Sequence, residues 1–128
     1  GGSAAVGDPV VQRLEDLGYQ VKRLAGTTRY GTTTAVAADA LARHADGEVI
    51  VVFATGEVFA DGLPAGALAA RFRALVVLVH PTDLDRSPEV ESFLAAHAER
   101  FDQAVIVGGP LAVSDEVRTR LAKAMQAS

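Results

Sequence analysis

Four short segments of the chain carry residues that can contact an anion or a sugar. They are residues 26–30 (GTTRY), 55–61 (TGEVFAD), 80–85 (HPTDLD) and 108–114 (GGPLAVS). A planar guanidinium such as that of Arg29 is suited to phosphate or carboxylate oxygens. Paired glycines allow backbone amides to turn toward the same kind of ligand. These residue types therefore favour a site that binds an anionic group.

The residues that we predict to form the binding site are Arg29, Tyr30, Thr55, Gly56, Asp61, Gly108, Gly109 and Ser114. Several have a structural alternative that the sequence leaves open. Arg29 can form an internal ion pair with Asp61, which can also cap a helix. Tyr30 can stack on a sugar ring or anchor the start of a helix. Thr55 and Gly56 can form a strand-to-helix turn, and the later glycine pair can simply shape a tight turn.

A catalytic or regulatory site is the alternative function. Asp61, His80, Asp83 and Asp85 can meet on one side of the fold, as a metal site or an acid–base group requires. No second histidine stands at ligand spacing, and the chain lacks the nucleophile-elbow and phosphate-loop motifs. We therefore predict a protein that is not an enzyme and uses no metal or cofactor. The alternative is a small α/β enzyme, or a nucleotide- or metal-binding regulatory domain, with its site at Asp61, His80 and Asp83.

The overall composition narrows the choice of partners. The 128 residues suffice for one domain with a real core, and the formal net charge of −4 disfavours a nucleic-acid surface, which needs a basic face. Cysteine is absent, which excludes a disulfide framework and thiol catalysis. No stretch approaches the roughly 18 consecutive apolar residues of a membrane span. We expect neither nucleic acid nor a membrane among the partners.

Three continuous apolar runs, residues 49–54, 74–79 and 104–107, predict buried strands. An alternating run, residues 19–24, predicts an outer strand. Helical patterns lie between the strands, and one more helix precedes them. This alternation predicts an α/β fold: an open parallel sheet of about four strands with helices on both faces, a three-layer arrangement like that of flavodoxin or toprim domains.

Each of the four candidate segments follows one predicted strand. In open parallel sheets, ligands bind where the carboxyl ends of the strands meet the N-termini of the helices. We therefore expect the four segments to meet at a single edge of the sheet.

The two ends of the chain resemble each other. Residues 1–14 align without gaps on residues 108–121, and eight of the fourteen pairs are identical. Self-similarity at a fixed offset is typical of tandem repeats. We predict that residues 1–18 are the last helix of a preceding repeat and that residues 19–128 form one complete repeat, both packed as a single globular domain. The alternative is that helix starts look alike and that the first three residues are a cloning remnant.

Three motifs, in this order, resemble those of a known family. Residues 23–32 (RLAGTTRYGT) resemble the opening signature of the type 2 cell-wall-binding repeat, and residues 55–63 (TGEVFADGL) and 105–114 (VIVGGPLAVS) resemble its later motifs. The chain departs from the usual family pattern at three positions, Gly31, Gly62 and His80. These departures concern ligand preference more than the fold.

The resemblance implies a function. Repeats of this family usually occur three in tandem in surface proteins of Gram-positive bacteria, associate as a three-fold arrangement and tether the protein non-covalently to anionic wall polymers. By that resemblance, this chain is a non-catalytic anchor for a secreted protein. The implied partners are a teichoic-acid-like polymer or secondary polysaccharide, and neighbouring repeats or a homotrimer. The implied location is the cell wall or cell surface. The first residues do not have the pattern of a signal peptide, so we expect the signal of an exported parent protein to lie upstream of this chain.

Overall fold

The computed structural model describes residues 1–44, 47 and 49–126. The helices are α1 (Asp8–Asp16), α2 (Arg29–Arg43), α3 (Phe59–Phe72), α4 (Pro88–His97) and α5 (Asp115–Gln126). The strands are β1 (Val49–Thr55), β2 (Leu75–Val79) and β3 (Phe101–Ile106). Short 3₁₀ turns, Leu84–Arg86 and Ala98–Arg100, flank α4. None of the described helices is long and apolar enough to cross a membrane.

The strands form an open parallel sheet in the order β2–β1–β3. The pairing of β1 with β2 runs from Val51 opposite Leu75 to Thr55 opposite Val79. Almost every side chain of the central strand β1 is buried, as expected for a continuous apolar strand with neighbours on both sides. The predicted α/β class and parallel sheet are confirmed.

The predicted fourth strand is not found. Residues 19–24 are in no strand, and the described part of the chain has a three-stranded sheet. The segment contacts α2 instead, where Lys22 forms an ion pair with Asp39. The backbone N–H of Leu78 in the edge strand β2 donates to the hydroxyl of Thr33 in α2 at 3.1 Å. Residues 19–24 therefore contact α2 through the charged side chain of Lys22 and do not pair with the sheet. The backbone N–H of Leu78 on the edge strand is satisfied by Thr33, a side chain of α2.

The two faces of the sheet are covered unequally. Over the described residues, α2, α4 and α5 contribute to the larger core on one face, which includes Phe53 and Leu94. On the other face, α3 packs through Ala65 and Ala69 against strand residues such as Val52. Small side chains let this helix approach the sheet closely, but they leave its flanks open. We call the exposed apolar side chains there the α3 surface; its members are Val58, Phe59, Leu63 and Phe72.

Candidate functional site

The start of α2 positions Arg29 at the carboxyl edge of the sheet. Thr28 is the N-cap residue, and its hydroxyl accepts the backbone N–H of Gly31 at 2.9 Å. Gly26 lies so close to this first turn that a Cβ on it would overlap the carbonyl carbon of Gly31. The guanidinium of Arg29 donates to the carbonyl of Gly56, which follows β1. This bond joins the first candidate segment to the second.

Tyr30 lies inside the protein, with 6% of its surface exposed. Its hydroxyl donates to Oε1 of Glu57 at 2.6 Å. Burial, followed by this hydrogen bond, raises the pKa of Tyr30 to about 12. The same hydrogen bond lowers the pKa of Glu57 from its ordinary value. The ring therefore anchors the start of α2 and offers little area for stacking on a sugar.

The turn after β1 is fixed by hydrogen bonds within the turn and to the neighbouring strand β2. The buried hydroxyl of Thr55 accepts the backbone N–H of Glu57 at 3.2 Å. The N–H of Gly56 donates at 2.9 Å to the carbonyl of Val79, the last residue of β2. A Cβ at Gly56 would lie 2.6 Å from the ring of Tyr30. Because no side chain fits there, this turn requires glycine.

Asp61 has neither of the structural roles that the sequence left open. It lies in the first turn of α3, whose N-cap is Val58, so it does not cap the helix. No ion pair joins it to Arg29 among the described residues. Its Oδ2 atom would be 3.6 Å from a Cβ at Gly108, which places the carboxylate beside the glycine pair. A carboxylate in that place repels a bound anion but accepts hydrogen bonds from hydroxyl groups.

The loop after β3 is a compact turn. Gly108 has a φ of 104°, a conformation that favours glycine. The carbonyl of Gly109 accepts the N–H groups of Ala112 and Val113. The guanidinium of Arg118 in α5 donates to the carbonyls of Gly108 at 3.1 Å and Val113 at 3.2 Å. These bonds fix the loop conformation and leave the glycine pair on the surface.

Ser114 connects this loop to the segment after β2. Its backbone N–H donates to the carbonyl of Pro81 at 2.8 Å. Its hydroxyl accepts the N–H of Val117 at 3.3 Å, which is the geometry of a helix cap. Tyr30 also reaches this region, since its ring centroid lies 6.4 Å from that of His80. These contacts connect the four candidate segments at one edge of the sheet.

His80 and the aspartates that follow it hold the turn after β2. The buried His80 ring accepts the N–H groups of Asp83 at 3.1 Å and Thr82 at 3.4 Å, both at Nδ1. Two donors at Nδ1 require an unprotonated nitrogen there. Asp85 binds Arg120 at 2.7 Å. No group of three or more metal-ligating side chains occurs in the part of the chain that the structure describes. The geometry therefore gives His80 and Asp85 structural partners.

Two surface cavities meet at Arg29. One, of about 550 Å³, lies between the start of α2, the turn after β1 and the start of α3. The other, of about 500 Å³, lies beside residues 26–28 and the first residues of the chain. Both are lined by Arg29, Thr33 and Leu78. Among the lining residues Arg29 is the only basic side chain and Glu57 the only acidic one, and most of the others are apolar or glycine.

Sequence reasoning missed three features of this site. Glu57, the partner of Tyr30, stands in the second motif, but nothing in the local sequence pairs it with a residue 27 positions away. Thr33 is one of several threonines in a helix and lines both cavities. Arg118 lies in α5, and its bonds to the loop depend on a turn whose shape the sequence does not specify.

Comparison with known proteins gives a family and a fold. The family model described as cell wall binding domain 2 (CWB2) matches residues 23–118. A solved structure titled "Cwp8 from Clostridium difficile" has the same fold, with a TM-score of 0.71 and 23% sequence identity. The match covers 99% of this chain and 20% of that one, so the chain spans about a fifth of the length of that protein. No curated protein matches the chain.

Proposed function

The chain belongs to the cell wall binding domain 2 family, and on that premise we propose that it anchors a secreted protein non-covalently to anionic polymers of the cell wall. Membership makes it a cell-wall-binding module of a protein associated with the cell surface. The proposed ligand is a teichoic-acid-like polymer or a secondary polysaccharide. In this proposal the module performs no catalysis and needs no cofactor.

The position of Arg29 is the observation that carries the proposal. This exposed guanidinium is the only basic side chain lining the two cavities. It has five N–H donors, and the bond to Gly56 leaves others for phosphate or carboxylate oxygens of a polymer.

The loop after β3 supplies a second contact region of a different kind. Because the carboxylate of Asp61 lies beside Gly108, we propose that sugar hydroxyls, not anionic groups, bind there. Hydroxyls can donate to Asp61 in this loop, whereas the amides of Ala112, Val113 and Ser114 already donate to carbonyls of the protein. Tyr30 and Thr55, both buried, position the turns from the inside.

The module also has a proposed protein partner, which is a neighbouring repeat or two further copies in a homotrimer. The support is the α3 surface, where Phe59 is 81% exposed. Val58, Phe59 and Leu63 line one cavity, and exposed apolar side chains grouped in this way mark interaction surfaces on proteins. Leu111, on the loop after β3, is a further exposed apolar side chain.

A sedimentation assay with purified cell walls tests polymer binding. We expect walls that retain their anionic polymer to bind the module, and walls stripped of that polymer to lose most of this binding. Arg29→Ala should weaken retention by about ten- to a hundredfold, since a charge-assisted hydrogen bond contributes about 1.5–3 kcal/mol. Arg29→Lys should restore it in part, because lysine keeps the charge but not the planar fork.

Arg71→Ala is the matched control, because Arg71 is an exposed cation in the last turn of α3, whereas the cavity is bordered by the first turns of that helix. It should leave wall binding unchanged. Equal retention by intact and stripped walls would contradict the proposal, as would equal effects of the Arg29 and Arg71 substitutions. Each variant is compared with the wild type by thermal unfolding, which separates a lost contact from a lost fold.

A further inference from the structure

Helix α1 presents an apolar stripe that the described structure does not cover. None of the residues of α1 is buried. Val6, before the helix, and Val10 and Leu14, one turn apart within it, are 39 to 52% exposed. Apolar residues at this spacing form the face by which a helix packs on a core. The stripe therefore resembles a packing surface whose partner is another body.

The same stripe exists a second time in this chain, where it is buried. The gapless alignment of the two ends places Val113, Val117 and Leu121 opposite the three residues of the α1 stripe. These three are at most 2% exposed, because α5 packs with them into the larger core. Because Val113, Val117 and Leu121 pack into the core of an α/β unit, the matching residues of the α1 stripe fit a core of the same kind.

The loops before the two helices also have the same conformation. The N–H groups of Ala5 and Val6 donate to the carbonyl of Gly2, both at 3.0 Å. Their counterparts, Ala112 and Val113, donate to the carbonyl of Gly109 at 2.9 and 3.1 Å. The sequence likeness is thus a structural likeness that extends through loop and helix.

The close approach of a glycine to an alanine also repeats in the two loops. A Cβ at Gly1 would lie 2.8 Å from the Cβ of Ala5, and a Cβ at Gly108 would lie 2.6 Å from that of Ala112. Each loop therefore folds its first glycine against the alanine four residues later.

Each loop is held by the guanidinium of one arginine, but the two arginines stand at different positions in the sequence. In the second loop Arg118, on the following helix, donates to the carbonyls of Gly108 and Val113. In the first loop the position of Arg118 is taken by Val11. There Arg23, which follows the helix, donates to the equivalent carbonyls of Gly1 at 2.8 Å and Val6 at 2.9 Å.

We propose that Arg23 is the joint residue that fastens residues 1–18, the predicted closing loop and helix of a preceding repeat, to the following unit. The α1 stripe packs into that preceding unit as the α5 stripe packs here. One helix then serves two consecutive units: it completes the core of the first and is held by the guanidinium of the second. Arg23 replaces the fastening that Arg118 provides within a single unit.

A tandem chain built in register tests this joint. Residues 1–128 are followed directly by a second copy of residues 22–128, which keeps the offset between Gly1 and Gly108. Helix Asp115–Gln126 of the first copy then has both roles at once, and the second copy of Arg23 can reach the carbonyls of Gly108 and Val113. The chain has no cysteine, so Val113→Cys in the first copy gives a unique thiol whose labelling rate reports the opening of the loop.

The informative substitution is Arg118→Val, which gives the second loop the residue that the first loop has. In the single chain it should speed labelling of the thiol by about tenfold, because the hydrogen bonds of a charged group are lost. In the tandem chain the second copy of Arg23 should restore slow labelling. Adding Arg23→Ala in the second copy should abolish this rescue, whereas Arg71→Ala in the second copy, the control, should not.

Labelling of the Arg118→Val tandem that is as fast as in the single chain would overturn the proposal. So would faster labelling in the otherwise unaltered tandem than in the single chain, because it would mean that the second unit pulls the helix away from the first. If Arg118→Val prevents the single chain from folding, folding of the tandem that carries it is the same rescue. The experiment uses no wall polymer, so its failure leaves the proposed function untouched.

Discussion

At the residue scale, the contact between Gly56 and Tyr30 controls how the turn after β1 fits against α2. The turn lies against the edge atoms Cε1 and Cζ of the aromatic ring. Beside this contact Arg29 donates to the carbonyl of Gly56, and the hydroxyl of Tyr30 donates to Glu57. Arg29, the candidate ligand contact, and Tyr30, the structural anchor, are therefore adjacent residues of α2. Substitutions of either therefore need a stability measurement beside any binding measurement.

We predict that Gly56→Ala destabilises the protein, because its Cβ would overlap the buried ring of Tyr30. The expected loss in the free energy of unfolding is about 1–3 kcal/mol, the usual range for overpacking. Gly66→Ala is the control: nothing lies within 4 Å of its Cβ, and it is inside α3. That change should stabilise by about 0.5–1 kcal/mol. Urea unfolding measures both, and equal effects would contradict the close contact.

At the element scale, α1 and α5 have nearly the same stripe in opposite environments. Leu121→Ala should lower the free energy of unfolding by about 2–5 kcal/mol, because it leaves a cavity in the larger core. Leu14→Ala, at the equivalent position of α1, should change it by less than about 0.5 kcal/mol in the same chain, since it is exposed. Denaturant unfolding of the two variants measures the difference. A large effect of Leu14→Ala in the monomer would mean that α1 packs on its own unit.

The sequence predicted the elements whose signal is a long apolar run. The strand predicted at residues 49–54 is Val49–Thr55 in the structure, and that predicted at residues 74–79 is Leu75–Val79. The strand predicted at residues 104–107 begins earlier, at Phe101, because pairing with β1 extends it through polar residues. Such pairing is a tertiary effect that no local pattern contains.

The candidate site was predictable in its location and less so in its roles. The motifs follow strand ends, and topology alone brings strand ends together. The roles of Tyr30 and Asp61 depend instead on which way each side chain points after packing. The ring of Tyr30 is buried, and Asp61 lies in the first turn of α3, which begins at Phe59 and therefore leaves the capping position to Val58.

At the scale of the whole molecule, the unequal covering of the sheet predicts self-association. Phe59→Asp combined with Leu63→Asp should reduce any trimer to the monomer of 13.3 kDa, since burial of these side chains would then require burial of charge. Val36→Asp, an exposed apolar position on α2, is the matched control. Light scattering coupled to size-exclusion chromatography measures the mass over a range of concentrations. A wild-type mass of 13.3 kDa at every concentration would contradict the homotrimer and leave neighbouring repeats as the partners of this surface.

The hydrogen bond from Leu78 to Thr33 protects the edge strand β2 where many copies of the module lie close together. Modules fixed side by side on a surface meet one another at high local concentration, and an unpaired backbone amide on an outer strand is a template on which another chain can add a strand. The hydroxyl of Thr33 accepts the backbone N–H of Leu78 and donates to the carbonyl of Tyr30. One side chain therefore satisfies an amide of the sheet and a carbonyl of α2. One side-chain oxygen thereby discourages β-type aggregation at this point of the fold, and association is left to side-chain surfaces whose geometry is specific.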